Sequence, residues 1–280
     1  MRIRGVLITV VVLGLVASCS GVDDGQEATL GETARPAPVS AVVPTTPADD
    51  PTSVVTELVR IETALRDGAT SPLAATELGR LQQLAYAVVA RHPEWQAAVI
   101  AAAPGQVRAA VEANIRAGNE LRALAPPPKP ELPPWRIVPP APASELLAEY
   151  EQAQAATGVG WEYLAAIHLV ETRMGRIRGD SVAGARGPMQ FIPSTWEIYG
   201  AGGDIESNHD AIQAAARMLK ARGAPGDMAG ALYAYNPSRH YVGAISAYAE
   251  VMRADRKAYF GYHAWQVFYG DRLLPEGYGS

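Results

Sequence analysis

"HLVETRMGRIRGDSVAGARGPMQFIPSTW", residues 168–196, is the stretch that decides how this chain is interpreted. It begins in an apolar helical pattern, continues through a loop interrupted by glycines, and returns to apolar residues at Met189. Gly184 and Gly187 allow the backbone of that loop to approach a ligand or another segment closely. Glu171 is the one carboxylate in the helical part of the stretch, so acid–base chemistry here depends on it.

The segment 160–173 predicts a helix whose apolar side includes Glu171, because Leu164, Ile167 and His168 precede it at helical spacing. Burial raises the pKa of a carboxylic acid, and the negative end of the helix dipole acts in the same direction. Such a glutamate is suited to donate a proton near neutral pH, as a general acid must. Two structural alternatives remain, an exposed side chain in the last turn or an ion pair with a nearby arginine. His168 either tunes Glu171 or packs in the core.

The residues after the loop have the chemistry that a sugar ligand requires. Gln190 can both donate and accept hydrogen bonds, as hydroxyl and acetamido groups demand. Met189 and Phe191 offer apolar surface for the face of a pyranose ring. Each of these residues alone is more typical of a core or a turn, but together they favour a carbohydrate site.

Four elements in order carry a family resemblance: Glu171, Ser181, "GARGPMQFIPSTW" at 184–196, and "YAYN" at 233–236. This combination resembles the catalytic domain of the lytic transglycosylases, goose-lysozyme-like enzymes that act on peptidoglycan. It is most similar to the membrane-bound type B branch and covers roughly residues 140–255. The resemblance implies a mainly α fold, with a lysozyme-like α-helical catalytic domain preceded by a small helical bundle.

The resemblance also implies a role for each matching position. Glu171 would be the catalytic acid and then the base, and Tyr235 the tyrosine that orients it. The reaction would cleave the bond between N-acetylmuramic acid and N-acetylglucosamine, leave a 1,6-anhydro sugar, and need no cofactor. The substrate-binding positions would be Ser181, Met189, Gln190, Phe191 and Asn236.

The chain departs from the family pattern at three places. Pro188 replaces the usual leucine before Met-Gln, and Pro237 follows Asn236 where the family has alanine. The calcium-type loop of some type B relatives is shortened to "GAGGDIESNHD" at 200–210. Its carboxylates do not have the spacing of an EF-hand, so we expect no metal there.

Two other functions compete with the transglycosylase. The first is a muramidase of the same fold, in which a second carboxylate activates water. Asp180, just before Ser181, is the candidate for that carboxylate, and Asp204 is a weaker one. The second is a wall-binding lipoprotein without activity, which the presence of Glu171, Gln190 and Tyr235 argues against.

The N-terminus has the features of an exported lipoprotein. Arg2 and Arg4 precede an apolar run, which predicts a secretory signal over residues 1–18. The signal ends in Val-Ala-Ser-Cys19, which resembles the bacterial lipobox and implies a lipid anchor to the outer face of the cell membrane. The alternative is an ordinary signal peptide with a chance cysteine. Cys19 is the only cysteine, so an intramolecular disulfide is excluded.

Composition, helix-capping residues and prolines divide the rest of the chain into parts. The net charge of −5 gives no basic footprint for nucleic acid. Ser71 and Ser238 predict helix starts and Gly158 a helix end. A truncated chain beginning near Trp135, in the proline-rich linker, is expected to fold alone. The predicted parts are a disordered tether (19–51), a small helical module of unknown role (52–124), the linker (125–142), the catalytic domain (143–270) and a C-terminal tail (271–280).

Overall fold

The computed structural model describes residues 50–125 and 128–280, and this part of the chain is mainly α-helical. The predicted signal, Cys19 and nearly all of the predicted tether therefore lie outside the described residues. None of the described helices is both long and apolar enough to cross a membrane.

The described residues form eleven α-helices, one 3₁₀ turn and four short strands. The helices are α1 (Pro51–Arg66), α2 (Pro72–Arg91), α3 (Gln96–Ala102), α4 (Gly105–Leu124), α5 (Ala143–Thr157), α6 (Trp161–Thr172), α7 (Pro193–Tyr199), α8 (Asn208–Ala221), α9 (Met228–Tyr235), α10 (Arg239–Ala254) and α11 (Ala258–His263), with the 3₁₀ turn at Pro93–Trp95. The strands are β1 (Arg136–Ile137), β2 (Ile177–Arg178), β3 (Val267–Tyr269) and β4 (Arg272–Leu274), paired β1 with β2 and β3 with β4, both antiparallel.

The helix ends follow the local sequence. The side chain of Ser71 accepts a hydrogen bond from the Ala74 amide at the start of α2, and Ser238 does the same for Tyr241 at the start of α10. Gly158 ends α5 with a φ of 81°, a left-handed conformation that glycine adopts without strain. These predicted boundaries are confirmed.

Helix α10 is the centre of the fold. It packs against α4 on one side and against α6, which carries Glu171, on the other. Small residues let the helices approach: a Cβ added at Gly243 would lie 3.0 Å from the Glu120 side chain of α4. The eight buried residues of α10 are Tyr241, Ala244, Ile245, Ala247, Tyr248, Ala249, Val251 and Met252.

Buried polar contacts tie the N-terminal helices to the C-terminal ones. The hydroxyl of Tyr262 donates to Oδ1 of Asn114 at 2.6 Å. The Gln83 side chain exchanges two hydrogen bonds with the backbone of Gln266, at 2.9 and 2.7 Å. A buried polar group is costly unless it is paired, so these contacts fix how the two parts dock.

The prediction of two helical parts separated by a linker is therefore wrong. One continuous hydrophobic core runs from Val54 in α1 to Trp265 after α11. The amphipathic segments of residues 52–124 do form helices. Their apolar stripes, however, also pack on the C-terminal part of the chain, α2 against α11 and α4 against α10. Residues 52–124 are a layer of the same domain.

The linker and the tail also need correction, because both are built into a second small core. Trp135 and Ile137 are buried there with Ile177, Val267 and Leu274. Ile137 donates its amide to the carbonyl of Tyr278 at 2.9 Å and accepts from the Gly277 amide at 2.8 Å. The prolines keep this segment extended, and the extended backbone then pairs with both β2 and the C-terminus.

We expect a truncated chain beginning near Trp135 to be unfolded or aggregated. Its loss of α1–α4 would expose the apolar face of α10 and the buried rings of Tyr262 and Trp265. Each large side chain uncovered costs about 1.5–3 kcal/mol, against a typical total stability of about 5–15 kcal/mol. Circular dichroism on heating should show no cooperative transition. A chain beginning at Asp50 is the matched control, and equal cooperative unfolding of both chains would contradict the shared core.

Candidate active site

Helix α6 ends in an unusual turn directly after Glu171. Arg173 and Met174 have φ values of 54° and 59°, and Gly175 continues the left-handed run with 79°. Non-glycine residues rarely adopt this region, so the surrounding structure must hold the turn in place. Thr172 does so, since its hydroxyl donates to the Pro188 carbonyl at 2.6 Å and accepts from the Gly175 amide at 3.1 Å.

The carboxyl group of Glu171 is held by one tyrosine. Its Oε1 accepts a hydrogen bond from the Tyr241 hydroxyl at 2.8 Å, and the residue keeps partial access to solvent. Burial raises the pKa of Glu171 to about 8, although the hydrogen bond from Tyr241 lowers it. Glu171 forms no salt bridge with any described residue. The alternative of an ion pair with an arginine is therefore absent from the described part of the chain. Because its pKa is near 8, the carboxyl group of Glu171 is mostly protonated at neutral pH.

Tyr235 makes no direct hydrogen bond to the carboxyl group of Glu171. Its hydroxyl donates to the carbonyl oxygen of Met189 at 2.6 Å, and its ring stacks on Tyr241 with centroids 6.3 Å apart. The tyrosine expected to orient Glu171 therefore gives its hydroxyl to the loop backbone, and it reaches the glutamate only through the ring of Tyr241. The helical spacing of Tyr241, Ile245 and Tyr248 indicates only that they share one helix face. A buried tyrosine needs a partner for its hydroxyl, and that requirement was the signal for its role.

The glycine loop is organised by Ser181. Its Oγ accepts from the Ala185 amide at 3.0 Å, and its own amide donates to the Ala185 carbonyl at 2.9 Å. Gly187, with a φ of 72°, packs so tightly that a Cβ would lie 1.9 Å from the carbonyl oxygen of Ile205. The close approach that Gly187 allows is therefore to the chain itself, whereas a Cβ at Gly184 would have open space around it.

Gln190 remains available to a ligand, whereas Met189 and Phe191 do not. Gln190 is partly exposed, has a φ of 50°, and donates from Nε2 to the Gly187 carbonyl at 2.9 Å. The Met189 and Phe191 side chains are 0% and 2% exposed, so they form core beneath the loop. The expectation that they offer surface to a sugar ring is wrong here. The Phe191 ring instead packs against Tyr235 at 5.9 Å between centroids.

Asn236 is buried, and its Nδ2 has no hydrogen-bond partner among the described residues. An unpaired buried amide is costly, and this donor is as enclosed as Met189 and Phe191, so the substrate contact expected of Asn236 is not open in the structure. It follows α9 directly, next to Tyr235. Tyr241 contacts both Glu171 and the ring of Tyr235, and Tyr235 in turn donates to the Met189 carbonyl. The structure thus links these residues, while the Asn236 donor has no partner among the described residues.

The carboxylates considered for a hydrolase are exposed. Asp180 lies 3.8 Å from Nε of Arg186. Asp204 accepts from the Glu206 amide at 2.9 Å, which stabilises its own turn. Within the described ranges, no group of three or more histidine, cysteine, aspartate or glutamate residues could hold a metal ion.

His168 is a core residue. It is fully buried, and its Nδ1 lies 2.7 Å from the Tyr150 hydroxyl. Burial, followed by the charges of Arg178 and His263, lowers the pKa of His168 to about 3, so it is neutral. Of the two alternatives for His168, the structure favours packing in the core.

Comparisons of this chain with protein-family models, with curated proteins and with solved structures find no match. The function proposed below therefore depends on the motifs and on the geometry of the site.

Replacing Glu171 should stabilise the protein at alkaline pH. The pKa of Glu171 is raised in the fold from 4.5 to about 8, so the wild type loses stability as pH rises from about 4.5 through about 8. Glu171→Gln cannot ionise and avoids this loss. We expect it to melt at least roughly 2–4 °C above the wild type near pH 8.5, equivalent to about 1 kcal/mol, and to lose this advantage near pH 5.

Differential scanning calorimetry at both pH values provides the measurement. Glu197→Gln, at an exposed glutamate on α7, is the matched control and should change neither melting temperature. A melting temperature of Glu171→Gln that stays equal to the wild-type value at both pH values would contradict the burial of this carboxyl group.

Proposed function

We propose that this chain is a peptidoglycan lytic transglycosylase with a lysozyme-like catalytic domain. It acts on the bond between N-acetylmuramic acid and N-acetylglucosamine. The observation that supports the proposal best is a partly accessible glutamate, Glu171, whose pKa is raised to about 8 by burial and whose carboxyl group is held by Tyr241. The ordered motifs around it, from Ser181 to Asn236, resemble those of the lytic transglycosylases and support peptidoglycan as the proposed substrate.

The first step uses the protonated form of Glu171. Its proton passes to the glycosidic oxygen, the bond from that oxygen to C1 of the muramic acid breaks, and the acetamido group of the sugar stabilises the cationic centre. A pKa near the working pH suits a general acid, because most of the enzyme then carries the proton.

The second step uses the ionised form. Glu171 accepts the proton of the C6 hydroxyl as that oxygen bonds to C1, which closes the 1,6-anhydro ring and returns the carboxyl group to its starting state. No water is consumed. The attacking hydroxyl belongs to the substrate and has a large effective concentration. The hydrogen bond from Tyr241 is charge-assisted while Glu171 is ionised, so it stabilises the intermediate state most.

Two polar groups are proposed to position the glycan. Gln190 is partly exposed beside the loop, and Ser181 fixes the shape of that loop. Asn236 is buried, so its role is proposed to be support of the site from the core. Met189 and Phe191 support them from the core. We therefore propose that the sugar is recognised through hydrogen bonds, and that the buried side chains of Met189 and Phe191 do not contact it.

Analysis of the products separates the transglycosylase from the muramidase. Digestion of peptidoglycan in ¹⁸O-labelled water should give anhydro ends without the label, as measured by mass spectrometry. Glu171→Gln should lower the rate by roughly 10²–10⁴-fold, because it removes both proton transfers. Asp180→Asn should change the rate by less than roughly threefold, since no water needs activation and Asp180 is exposed.

Glu197→Gln is the control for the loss of one exposed carboxylate and should retain full activity. Labelled reducing ends, together with equal losses in Asp180→Asn and Glu171→Gln, would support the two-carboxylate hydrolase instead. Glycan binding without any cleavage by the wild type would favour the inactive wall-binding protein.

We further propose that Cys19 carries a lipid anchor that holds the enzyme on the outer face of the cell membrane. The supporting observation is the Val-Ala-Ser-Cys sequence directly after the apolar run. Cys19→Ala should abolish labelling by a radioactive fatty acid and leave unprocessed or released protein. Ser20→Ala is the matched control and should be labelled normally. Undiminished labelling of Cys19→Ala would contradict the anchor.

A further inference from the structure

A cavity of about 80 Å³ lies between the N-terminal helices and the C-terminal part of the core. Its lining comes from α2, α3, α4, α10, the end of α6 and Trp265, and includes none of the residues assigned above to catalysis or substrate binding. By the same measure a single water needs roughly 10–15 Å³, so the cavity has room for several non-hydrogen atoms. The cavity depends on the core that the N-terminal and C-terminal helices share, because α2 and α4 form one of its walls.

Arg173 lines this cavity and has no carboxylate partner among the described residues. The residue is 8% exposed, and the guanidinium group donates to the Leu169 carbonyl at 2.9 Å while its Nε has no partner among the described residues. The guanidinium carbon lies 5.9 Å from the ring centroid of Trp265. A guanidinium has five N–H donors and remains charged, so a single carbonyl leaves most of its binding capacity unused.

A second arginine makes the cavity electropositive. Arg122 of α4 also lines it, and within the described part of the chain neither Arg122 nor Arg173 is within salt-bridge distance of an acidic side chain. Burial raises the pKa of Tyr248 to about 12, and the charges of Arg173 and Arg122 act against this rise. No aspartate or glutamate lines the cavity. Burying a cation without a counter-charge is expensive, so an anion is the expected occupant.

The rest of the lining indicates which anion fits. Besides the arginines, the lining includes apolar residues of α2 and α4, which are Ala87, Val89, Ala90, Ile115 and Leu121. The planar guanidinium matches a carboxylate through two parallel hydrogen bonds. An inorganic dianion would fill the polar end but leave the apolar wall uncovered and would lose more hydration energy on entry.

We propose that this cavity is a binding site for a small aliphatic monocarboxylate, with the carboxylate on Arg173 and Arg122 and the short apolar chain against the wall from α2 and α4. The site is separate from the Glu171 site and does not depend on the proposed transglycosylase activity. It sits at the residue that ends α6, so its occupant would contact the helix that carries Glu171.

Propionate serves as the probe. The full chain is titrated with sodium propionate, sodium chloride or sodium phosphate at constant ionic strength and pH 7, with melting temperature and calorimetric heat as readouts. Propionate should give a saturable rise in melting temperature and a binding isotherm with one site. Chloride and phosphate should give no saturable change.

Three variants test the location of the site. A Cβ at Gly118 has open space around it, so Gly118→Leu should extend into the cavity, keep the fold and abolish propionate binding. Arg122→Gln should weaken binding by roughly tenfold or more, the lower limit for losing a charged hydrogen bond. Arg116→Gln removes an arginine that lies on the same helix and pairs with Glu250, and should bind as the wild type does.

Gly118→Leu also serves as a folding control, because replacing a helical glycine should preserve or raise the melting temperature of the free protein. Loss of propionate binding in this variant would then not be due to unfolding. The absence of saturable propionate binding by the wild type would overturn the proposal. Binding that persists unchanged in folded Gly118→Leu and in Arg122→Gln would overturn it equally. Equal binding of phosphate would contradict the assignment to a monocarboxylate.

Discussion

The packing of helix α10 on two sides is the constraint on which the rest of the structure depends. One side meets α4 and joins the N-terminal helices to the core, and the other meets α6 and supports Glu171. The polar pairs at its edges, His240 with Glu120 and Arg116 with Glu250, are partly exposed to solvent. Exposed pairs contribute about 0–1 kcal/mol each, whereas a fully buried large side chain contributes about 1.5–3 kcal/mol. Apolar burial along α10 therefore supplies most of the stabilisation of this docking, while the buried polar contacts fix its geometry.

The same helix sets the acidity of the proposed catalytic residue. Tyr241 is fully buried in α10, and its hydroxyl reaches Glu171 because the two helices pack closely. Burial raises the pKa of the carboxyl group and the hydrogen bond lowers it, which leaves the value near 8. The ring of Tyr235 stacks on Tyr241 and its hydroxyl fixes the loop carbonyl of Met189. The tyrosine pair thus couples the loop to the carboxyl group.

The local features of the fold could be predicted from the sequence, and the long-range ones could not. Capping at Ser71 and Ser238 and the stop at Gly158 depend on neighbouring residues, so their patterns predict them. An apolar stripe shows that a helix face is buried but does not name its partner, which is why residues 52–124 were assigned to a separate module. The proline-rich segment looked like a linker, since its pairing with β2 and Gly277 joins residues far apart in the chain.

The candidate site shows the same division. Glu171 was placed on an apolar helix face, and the direction of its pKa change followed from that placement alone. The partner of its carboxyl group did not, because Tyr241 is 70 positions away. The side chains of Met189 and Phe191 are of the kind that packs against a sugar ring. In the structure both are buried in the core, on either side of Gln190 with its left-handed backbone conformation. Residue type indicates what a side chain can bind, and only the packing shows whether a ligand can reach it.

The most direct test of the account is the pKa of Glu171 itself. Side-chain carboxyl resonances of ¹³C-labelled protein can be followed by NMR from about pH 3 to about pH 10, with Glu171→Gln to assign the signal. The account predicts that the Glu171 carboxyl titrates near pH 8, far above an unperturbed glutamate at about 4.3. It also predicts a still higher value in Tyr241→Phe, which removes the hydrogen bond that favours the charged form. A Glu171 signal that titrates below about pH 5 in the wild type would contradict the account.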